Sequence, residues 1–386
     1  MRRSIAALGG GMVLSCLLTA CADPVSAPFT PDSATQQLVT QTQTALESYW
    51  SGQLATFSGA PFEAPTRIVF YDDEHEPVVE GCALAPGDWK GNSFYCPGDG
   101  VLYLNPDLFA ALADQLKTPA LGGVVVHAHE FGHHLAEVDG ASFVTPTIGG
   151  ELQSDCYAGV FLSAVQDGDV ALPALGDFDL YDAMQTIRRL GTEGVDWDDH
   201  LTWFAEGAHG GPAERAYAMA LGVISKDPRL CQAYELTAPI DTISVGAFRF
   251  TPPPATTDTV FGQVHLMRSQ AFPDLMLTVS PRQVRPGPAG PALDGLVPAY
   301  FGGVPAERIG AVEDFVTMDG LTSASQRYQQ DTAAGPRHGV LVLATRGTGT
   351  SILLDFSAVG PSPADDGWEQ LGDAAFASLW GVYFDG

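Results

Sequence analysis

The apolar residues of the first 235 positions fall mainly in runs that are bounded by helix caps or by proline and glycine. Runs of ten or more residues predict helices, and shorter ones predict strands. The predicted helices are 33–52, with Asp32 or Ser33 as its N-cap, 119–137, 150–165, 178–190 and 212–225. The predicted strands are 67–71 and 100–105. The first half of the chain is therefore expected to be mainly helical, with a small antiparallel edge sheet.

The pattern changes after Cys231, where strand-like runs replace most of the helical ones. Strands are predicted at 242–250, 259–267 and 275–280, and a Pro/Gly-rich loop is predicted at 281–298. A hairpin that turns at Gly347–Gly349 is predicted at 339–358, and an amphipathic helix at 367–384. A chain of 386 residues is long enough for two domains. We therefore predict an α+β fold, with a mainly helical domain at residues 34–235 and a C-terminal α+β domain at residues 236–386.

Residues 1–20 have the pattern of an export signal, with two arginines before an apolar run at 5–18. This run is shorter than the roughly 20 residues that a membrane-spanning helix needs. It ends in the sequence LTAC, which resembles the lipobox of bacterial lipoproteins. The resemblance implies cleavage before Cys21, a lipid on its thiol, a flexible tether at 21–33 and anchoring on the extracytoplasmic face of the cell membrane. The alternative is ordinary secretory cleavage, with Cys21 left as a thiol.

Acidic residues outnumber basic ones by 46 to 18, which gives the chain a formal net charge of −28. Such a charge disfavours binding to nucleic acid and to anionic surfaces, because like charges repel. Only 17% of the residues are charged and 45% are hydrophobic, so the chain can build apolar cores. The composition leaves the oligomeric state open.

Of the six cysteines, one belongs to the export signal and one to the lipobox. The remaining four, an even number in an exported chain, predict two disulfides. Three pairings are possible. We favour Cys82–Cys96 and Cys156–Cys231, because the first pair brackets a short Gly/Pro-rich loop. A zinc site made of these cysteines is disfavoured, since none of them belongs to a CxxC pair.

The segment VVHAHEFGHHLAEVDG contains four of the nine histidines of the chain. Within it, His129, Glu130 and His133 form the pattern HExxH. Residues four apart share one face of a helix, so both imidazoles can bind one metal ion. Glu130 lies about 100° around the helix, where it can reach a water molecule on that ion. The other two histidines, His127 and His134, lie off this face and are expected to be packed or solvated.

A catalytic zinc site needs a third protein ligand and one open position, and three acidic residues are candidates for the ligand. Glu137 and Asp139 follow the motif, but position 136 is Ala where the HExxHxxGxxH pattern has Gly, so we expect these two to cap and solvate the helix end. Glu151 opens the next predicted helix in an ExxxD spacing with Asp155. There Glu151 can bind the metal while Asp155 accepts the second ring N–H of a ligating histidine. The alternative for Glu151 is a favourable charge at a helix N-terminus.

Four segments resemble a bacterial family described as "putative neutral zinc metallopeptidase". They are FYCPGDGVLYLN, HAHEFGHHLAEV, GGELQSDCYAGV and AHGGPAERAYAMALG, and they occur in the family's order over roughly residues 35–235. The family shares the zinc site of the gluzincins, which implies a zincin-like domain with Zn2+ on His129, His133 and Glu151. It also implies Glu130 as general base and Asp155 as partner of a ligating histidine. The sequence departs from the family's pattern at position 136 and in the segment HGGP, and neither departure changes an implied ligand.

Peptide hydrolysis also needs a hydrogen-bond donor for the oxyanion that forms. His209, in the segment EGAHGG, is the first candidate, and Tyr157 and Arg215 are further candidates. The alternative for His209 is an exposed histidine in a Gly-rich loop. The strand VLYLN, residues 101–105, is either an edge along which an extended peptide substrate pairs or an ordinary core strand.

Together these features predict an exported, membrane-anchored zinc metalloprotease that acts on a peptide or protein substrate. A second hypothesis retains zinc binding but not peptide hydrolysis: a zinc-stabilised, non-catalytic lipoprotein that binds cell-envelope partners through residues 236–386. A third is an extracytoplasmic ligand-binding lipoprotein, which would contain no zinc. Substitution of Glu130 separates the first two hypotheses, because it removes the base and leaves the ligands.

Overall fold

The computed structural model describes residues 29–83, 87–114, 116–140, 147–178, 180–192, 209–232, 243–250, 252, 256–269, 275–302, 304–316, 321–346, 349–359 and 382–384. Eight helices and thirteen strands lie in these ranges, so the fold class is α+β, as predicted. The predicted signal segment, Cys21 and the predicted domain boundary at 235–236 lie outside them. Among the described helices, none combines the length and apolar character that crossing a membrane requires.

Seven of the described helices precede the large sheet. They are α1 (Ser33–Phe57), α2 (Pro106–Ala113), α3 (Ala120–Val138), α4 (Thr147–Gln166), α5 (Leu180–Arg189), α6 (Pro212–Ser225) and α7 (Pro228–Gln232). All five helices predicted for the first 235 residues are present, and α1 begins where Asp32 accepts a hydrogen bond from the Thr35 N–H at 2.8 Å. Helix α2 was not predicted, although Asn105 caps it and Pro106 occupies its first position, which is a recognisable start signal.

A three-stranded sheet packs near α3 and contains β1 (Arg67–Phe70), β2 (Phe94–Cys96) and β3 (Val101–Leu104) in the order β1-β3-β2. Strand β3 pairs parallel with β1 and antiparallel with β2, so the expected antiparallel sheet is in fact mixed. All four residues of β3 are buried. The segment VLYL is therefore a central core strand, and β1 and β2 are the edge strands.

A seven-stranded antiparallel sheet forms in the C-terminal part, in the order β6-β7-β8-β12-β11-β10-β9. Its strands are β6 (Thr256–Phe261), β7 (Val264–Ser269), β8 (Leu275–Gln283), β9 (Glu307–Val316), β10 (Thr322–Thr332), β11 (Gly335–Thr345) and β12 (Thr350–Val359). A smaller sheet contains β4 (Ile243–Val245), β5 (Phe248–Phe250) and β13 (Val382–Phe384). The predicted hairpin at 339–358 is confirmed as the antiparallel pair β11–β12.

Three predictions for this part of the chain are wrong in detail. The loop expected at 281–298 contains helix α8 (Ala289–Tyr300), whose Leu293 and Val297 are buried against the sheet. The single strands expected at 242–250 and 259–267 are each two strands, because Gly246 and Gly262 adopt positive φ and turn the backbone. Most of the helix expected at 367–384 lies outside the described residues, but its last three residues form β13, paired with β5.

Both favoured disulfides are present, with Cα–Cα distances of 5.8 Å for Cys82–Cys96 and 5.4 Å for Cys156–Cys231. The first joins a loop to the edge strand β2. The second joins α4 to α7, and the Gln153 side chain strengthens this connection by donating to the Cys231 carbonyl at 3.3 Å. Because Cys156 follows Asp155 directly, the second disulfide holds the helix that carries two of the predicted site residues.

Two glycines allow the helices that carry the predicted site to approach closely. A Cβ atom on Gly132 of α3 would lie 2.8 Å from the Ser154 Cα of α4. A Cβ atom on Gly222 of α6 would lie 2.0 Å from the Cys156 carbonyl oxygen, also on α4. Both distances are shorter than van der Waals contact, so only glycine permits this packing. Helix α4 is thereby placed between α3 and α6.

We predict that Gly222→Ala lowers the free energy of unfolding by about 1–3 kcal/mol, because the added methyl group must push α4 and α6 apart. The matched control is Gly52→Ala in α1, where a Cβ atom would meet nothing within 4 Å. That control should be neutral or stabilising by up to about 1 kcal/mol, since alanine favours helix. Urea denaturation followed by circular dichroism measures both variants. Equal stability of the two variants would contradict the proposed close crossing.

Candidate metal centre

The two histidines of the HExxH motif lie side by side on α3. Their Nε2 atoms are 3.2 Å apart, and their ring planes are nearly perpendicular, at 87°. His129 is buried and His133 is half-buried. The four-residue spacing places both rings on one face of the helix, as the sequence predicts.

Glu151 approaches this pair from the first turns of α4. Its Oε2 atom lies 3.2 Å from Nε2 of His129, and its Oε1 atom lies 3.2 Å from Nε2 of His133. Zinc ligands at bond lengths of about 2.0–2.1 Å in a tetrahedron are roughly 3.3 Å from one another. The two imidazoles and the carboxylate have the donor chemistry and the mutual spacing that fit a zinc ion.

Glu130 is the second carboxylate beside the histidines. Ligand atoms of His129, Glu130 and His133 all lie within 4.8 Å of one another. Glu151 is nevertheless the better third ligand, because its two oxygens contact both imidazole nitrogens at 3.2 Å. Burial raises the pKa of the Glu130 carboxyl, and the neighbouring imidazoles only partly oppose this shift.

Asp155 fixes the orientation of the first histidine. Its Oδ1 atom lies 2.7 Å from Nδ1 of His129, and its side chain is fully buried. Because a carboxylate only accepts, Nδ1 carries the proton and Nε2 is left to face the metal site. Burial acts to raise the pKa of Asp155, but the charges of Arg215 and His129 outweigh burial and hold it below the usual value.

Arg215, at the start of α6, is the partner of Asp155. Its Nε and terminal N–H groups donate to the two oxygens of Asp155 at 2.8 and 2.9 Å, and another N–H donates to the Leu190 carbonyl at 3.1 Å. The terminal nitrogen also lies 3.6 Å from Oε2 of Glu151. The guanidinium is therefore engaged in holding these carboxylates, and this role was not predicted from the sequence. An arginine in a helix made mostly of apolar residues is the signal that could have indicated it.

The other two candidates for an oxyanion donor differ in position. Nδ1 of His209 lies 3.1 Å from Oε2 of Glu151, and the ring is about one-third exposed in the cleft described below, with 34% of the side chain accessible. Tyr157 is buried in the core, where its ring packs edge-on against Trp50 at 5.6 Å. It does not line the cleft, so Tyr157 is excluded as a donor.

The remaining histidines of the motif segment are packed, as expected. Nε2 of His127 lies 2.7 Å from the Gln43 side-chain oxygen, and burial lowers the pKa of His127 to about 3. His134 lies with Nε2 2.6 Å from the Glu63 carbonyl and Nδ1 3.1 Å from the Tyr95 hydroxyl. Neither ring faces the ligand pair.

The two acidic residues at the end of α3 are not simply solvated. The Tyr95 hydroxyl donates to Oε2 of Glu137, and the Gln232 side chain donates to Oδ2 of Asp139 at 2.7 Å. Asp139 is the C-cap residue of α3. The expected capping is thus present at Asp139, and both residues, which are partly exposed, also accept hydrogen bonds from neighbouring elements.

A cleft with a volume of 490 Å³ opens onto the ligand set. One wall is formed by residues 90–95, which lead into the edge strand β2, and another by the apolar side chains of Leu108, Val126 and Leu190. Glu130 and Glu137 also line it. This volume is in the range of small-molecule and peptide sites, about 300–1,000 Å³.

Comparison with known proteins identifies the family. Residues 18–234, more than half of the chain, match the model of the family described as "Putative neutral zinc metallopeptidase". The chain belongs to this family. The matched range includes every candidate ligand, so the family resemblance expected from the sequence is confirmed, and the family description implies zinc.

Two relatives of the chain are described as uncharacterized proteins. A protein of Mycobacterium tuberculosis is 28% identical over 176 residues, which cover 40% of this chain and 59% of the relative. The protein YpfJ of Escherichia coli is 28% identical over 212 residues, which cover 49% of this chain and 67% of YpfJ. The chain thus spans about three-fifths of the length of the mycobacterial relative.

Among solved structures, the yeast Ran-binding protein Mog1p matches 38% of this chain and 95% of its own, at 10% identity and a TM-score of 0.29. A point mutant of Mog1 gives a TM-score of 0.28, also at 10% identity, and covers 37% of this chain and 95% of its own. A similarity of this size carries no functional argument.

We predict that Arg215→Met weakens zinc binding by about 10–100-fold, the range typical of lost partners of ligating histidines. The change leaves Asp155 buried without its cation and should cost about 3–5 kcal/mol of stability. Chelator competition measures the zinc affinity, and thermal denaturation measures the stability. The control is Arg229→Met on α7, which breaks an exposed ion pair with Asp227 and should change neither quantity. Zinc affinity within twofold of the wild type would refute the assigned role of Arg215.

Proposed function

We propose that this chain is a zinc-dependent peptidase in which Glu130 is the general base. The observation that supports this proposal best is the convergence of two imidazoles and the Glu151 carboxylate, at 3.2 Å, beside a second, buried carboxylate in a cleft. A structural zinc site needs only the ligands. The additional buried carboxylate is what hydrolysis requires.

Each residue has a defined task in this proposal. His129, His133 and Glu151 hold Zn2+, which supplies a Lewis acid for the substrate carbonyl and the attacking water. Glu130 accepts a proton from that water and passes it to the leaving amine. Burial of Glu130 supports this task, because a raised pKa brings its ionised and protonated forms closer in free energy.

His209 is the proposed donor to the oxyanion. It lines the cleft, and Nδ1 lies 3.1 Å from Oε2 of Glu151. Within the described part of the chain, its other ring nitrogen has no hydrogen-bond partner. A donor so held by a ligand carboxylate is oriented before the substrate binds.

Substrate binding along β2 is the proposed mode of recognition. In the described sheet β2 pairs with β3 on one side only, and its residues Phe94 and Tyr95 line the cleft. An extended peptide can add to such an edge through backbone hydrogen bonds. We therefore place a peptide or protein substrate between β2 and α3.

Export and anchoring belong to the same proposal. The signal pattern at residues 1–20 and the lipobox support attachment through Cys21 to the outer face of the cell membrane. The two disulfides support an oxidising compartment. The net charge of −28 argues against nucleic acid as a partner.

The alternative function is a zinc-stabilised lipoprotein without catalysis. One observation favours it: His209 lies against Glu151, so a fourth protein ligand could close the coordination of the metal. A closed tetrahedral site is typical of structural zinc. Cell-envelope partners would then bind through residues 236–386.

The variant Glu130→Gln separates these functions. We predict that it retains one zinc per chain but loses peptide cleavage by at least about 100-fold, because general base catalysis contributes 10²–10⁴-fold. Metal analysis and digestion of a peptide library, read by mass spectrometry, measure the two properties. The control is Glu74→Gln on an exposed loop, which should keep both.

A wild-type protein that contains zinc and cleaves no library peptide would favour the non-catalytic alternative. A wild-type protein purified without chelator and free of zinc would overturn both functions and favour a ligand-binding lipoprotein.

A further inference from the structure

Glu137 occupies a defined position relative to the metal ligands. It follows His133 by four residues and His129 by eight on α3, so the three side chains share one face of the helix. At a rise of 1.5 Å per residue, Glu137 lies about 6 Å beyond His133 along the helix axis, and both side chains line the cleft. An extended peptide covers this distance in about two residues.

The Glu137 carboxylate is held in place but keeps free acceptor positions. It lines the cleft, and the Tyr95 hydroxyl donates to its Oε2 atom. An ionised carboxylate has about four acceptor positions, so one hydrogen bond leaves most of them open. Within the described ranges, the Glu137 carboxylate is in no ion pair with lysine, arginine or histidine, and the only hydrogen bond to it is the one from Tyr95.

Tyr95 connects this carboxylate to the substrate edge. It lies in β2, and its ring packs edge-on against His134 at 5.3 Å. The next residue, Cys96, is fixed by its disulfide to Cys82. Glu137 is therefore oriented by the same strand that would pair with the peptide backbone, which limits the rotamer entropy lost when a ligand binds.

The charges around the cleft favour a cation at this position. Asp88 is a further acidic residue of the wall, and the whole chain has a net charge of −28. Of the two basic side chains in the wall, Arg215 is engaged with Asp155, and the Lys90 ammonium lies over the Trp89 ring at 5.2 Å. Glu137 is thus left without a cationic partner of its own among the described residues.

We infer that Glu137 is a specificity-determining residue that selects peptides carrying Lys or Arg about two positions from the cleaved bond. This inference rests on the proposed peptidase function. The basic side chain would extend from the peptide bound along β2 and donate charge-assisted hydrogen bonds to the open positions of Glu137. The substrate class is therefore peptides with a basic residue next to the cleavage site.

The test measures binding separately from cleavage. Zinc-loaded Glu130→Gln protein is titrated with labelled alanine-rich peptides that carry one Lys, Arg, Met or Glu at each position in turn. Fluorescence anisotropy should show Lys and Arg peptides binding about tenfold more tightly than Met peptides at the best position. Adding Glu137→Gln should bring Lys and Met peptides within about twofold, while the substituted amide can still accept from Tyr95.

The matched control adds Asp88→Asn to the Glu130→Gln protein instead, which removes the same charge from another part of the wall. If Glu137 provides the selectivity, this control keeps most of the preference for Lys. The inference would be overturned if Glu137→Gln left the affinity ratio of Lys to Met peptides unchanged, or if Asp88→Asn lowered that ratio equally. Equal binding of all peptides by the parent protein would also overturn it.

The same peptides, offered to protein with Glu130 intact, distinguish the two proposals. Cleavage without a Glu137-dependent preference for basic peptides would contradict the proposed selectivity and support the peptidase function. Selective binding without cleavage would contradict the peptidase function and support the recognition of a basic side chain by Glu137.

Discussion

Arg215 reaches from α6 to α4 and donates two hydrogen bonds to Asp155, which in turn accepts from the His129 ring on α3. This buried chain of charges joins three helices, and each member decides the state of the next. The arginine keeps Asp155 ionised, and Asp155 keeps the proton of His129 on Nδ1. Nε2 is then free for the metal. Burial makes the chain stable only when it is complete, because a single unpaired charge in this place would be costly.

The ion pair can form because the helices carry glycine where they cross. Gly132 lets α3 approach α4, and Gly222 lets α4 approach α6. The Cys156–Cys231 disulfide joins α4 to α7 next to Asp155. Backbone packing, covalent cross-link and electrostatics therefore act on one short stretch of α4, and Glu151 lies one turn before that stretch.

The cleft combines two chemical characters. Around the ligands it is acidic and closely hydrogen-bonded, while Leu108, Val126 and Leu190 form an apolar wall. An acidic protein with a net charge of −28 attracts cationic ligands over a distance and repels anionic ones. Glu137 would direct this preference for cationic ligands to one position in the cleft, because Tyr95 holds its carboxylate in one orientation beside the metal ligands.

The sequence by itself determined the helices of the first half that carry the site and the two histidine ligands, because helix caps and the HExxH spacing are local features. It left open which acidic residue faces the histidines, since Glu137, Asp139 and Glu151 all suit a zinc ligand. Only the tertiary structure decided this, together with the roles of Arg215 and Tyr95. These contacts join residues far apart in the chain, and their formation depends on how closely helices pack, which no single segment encodes.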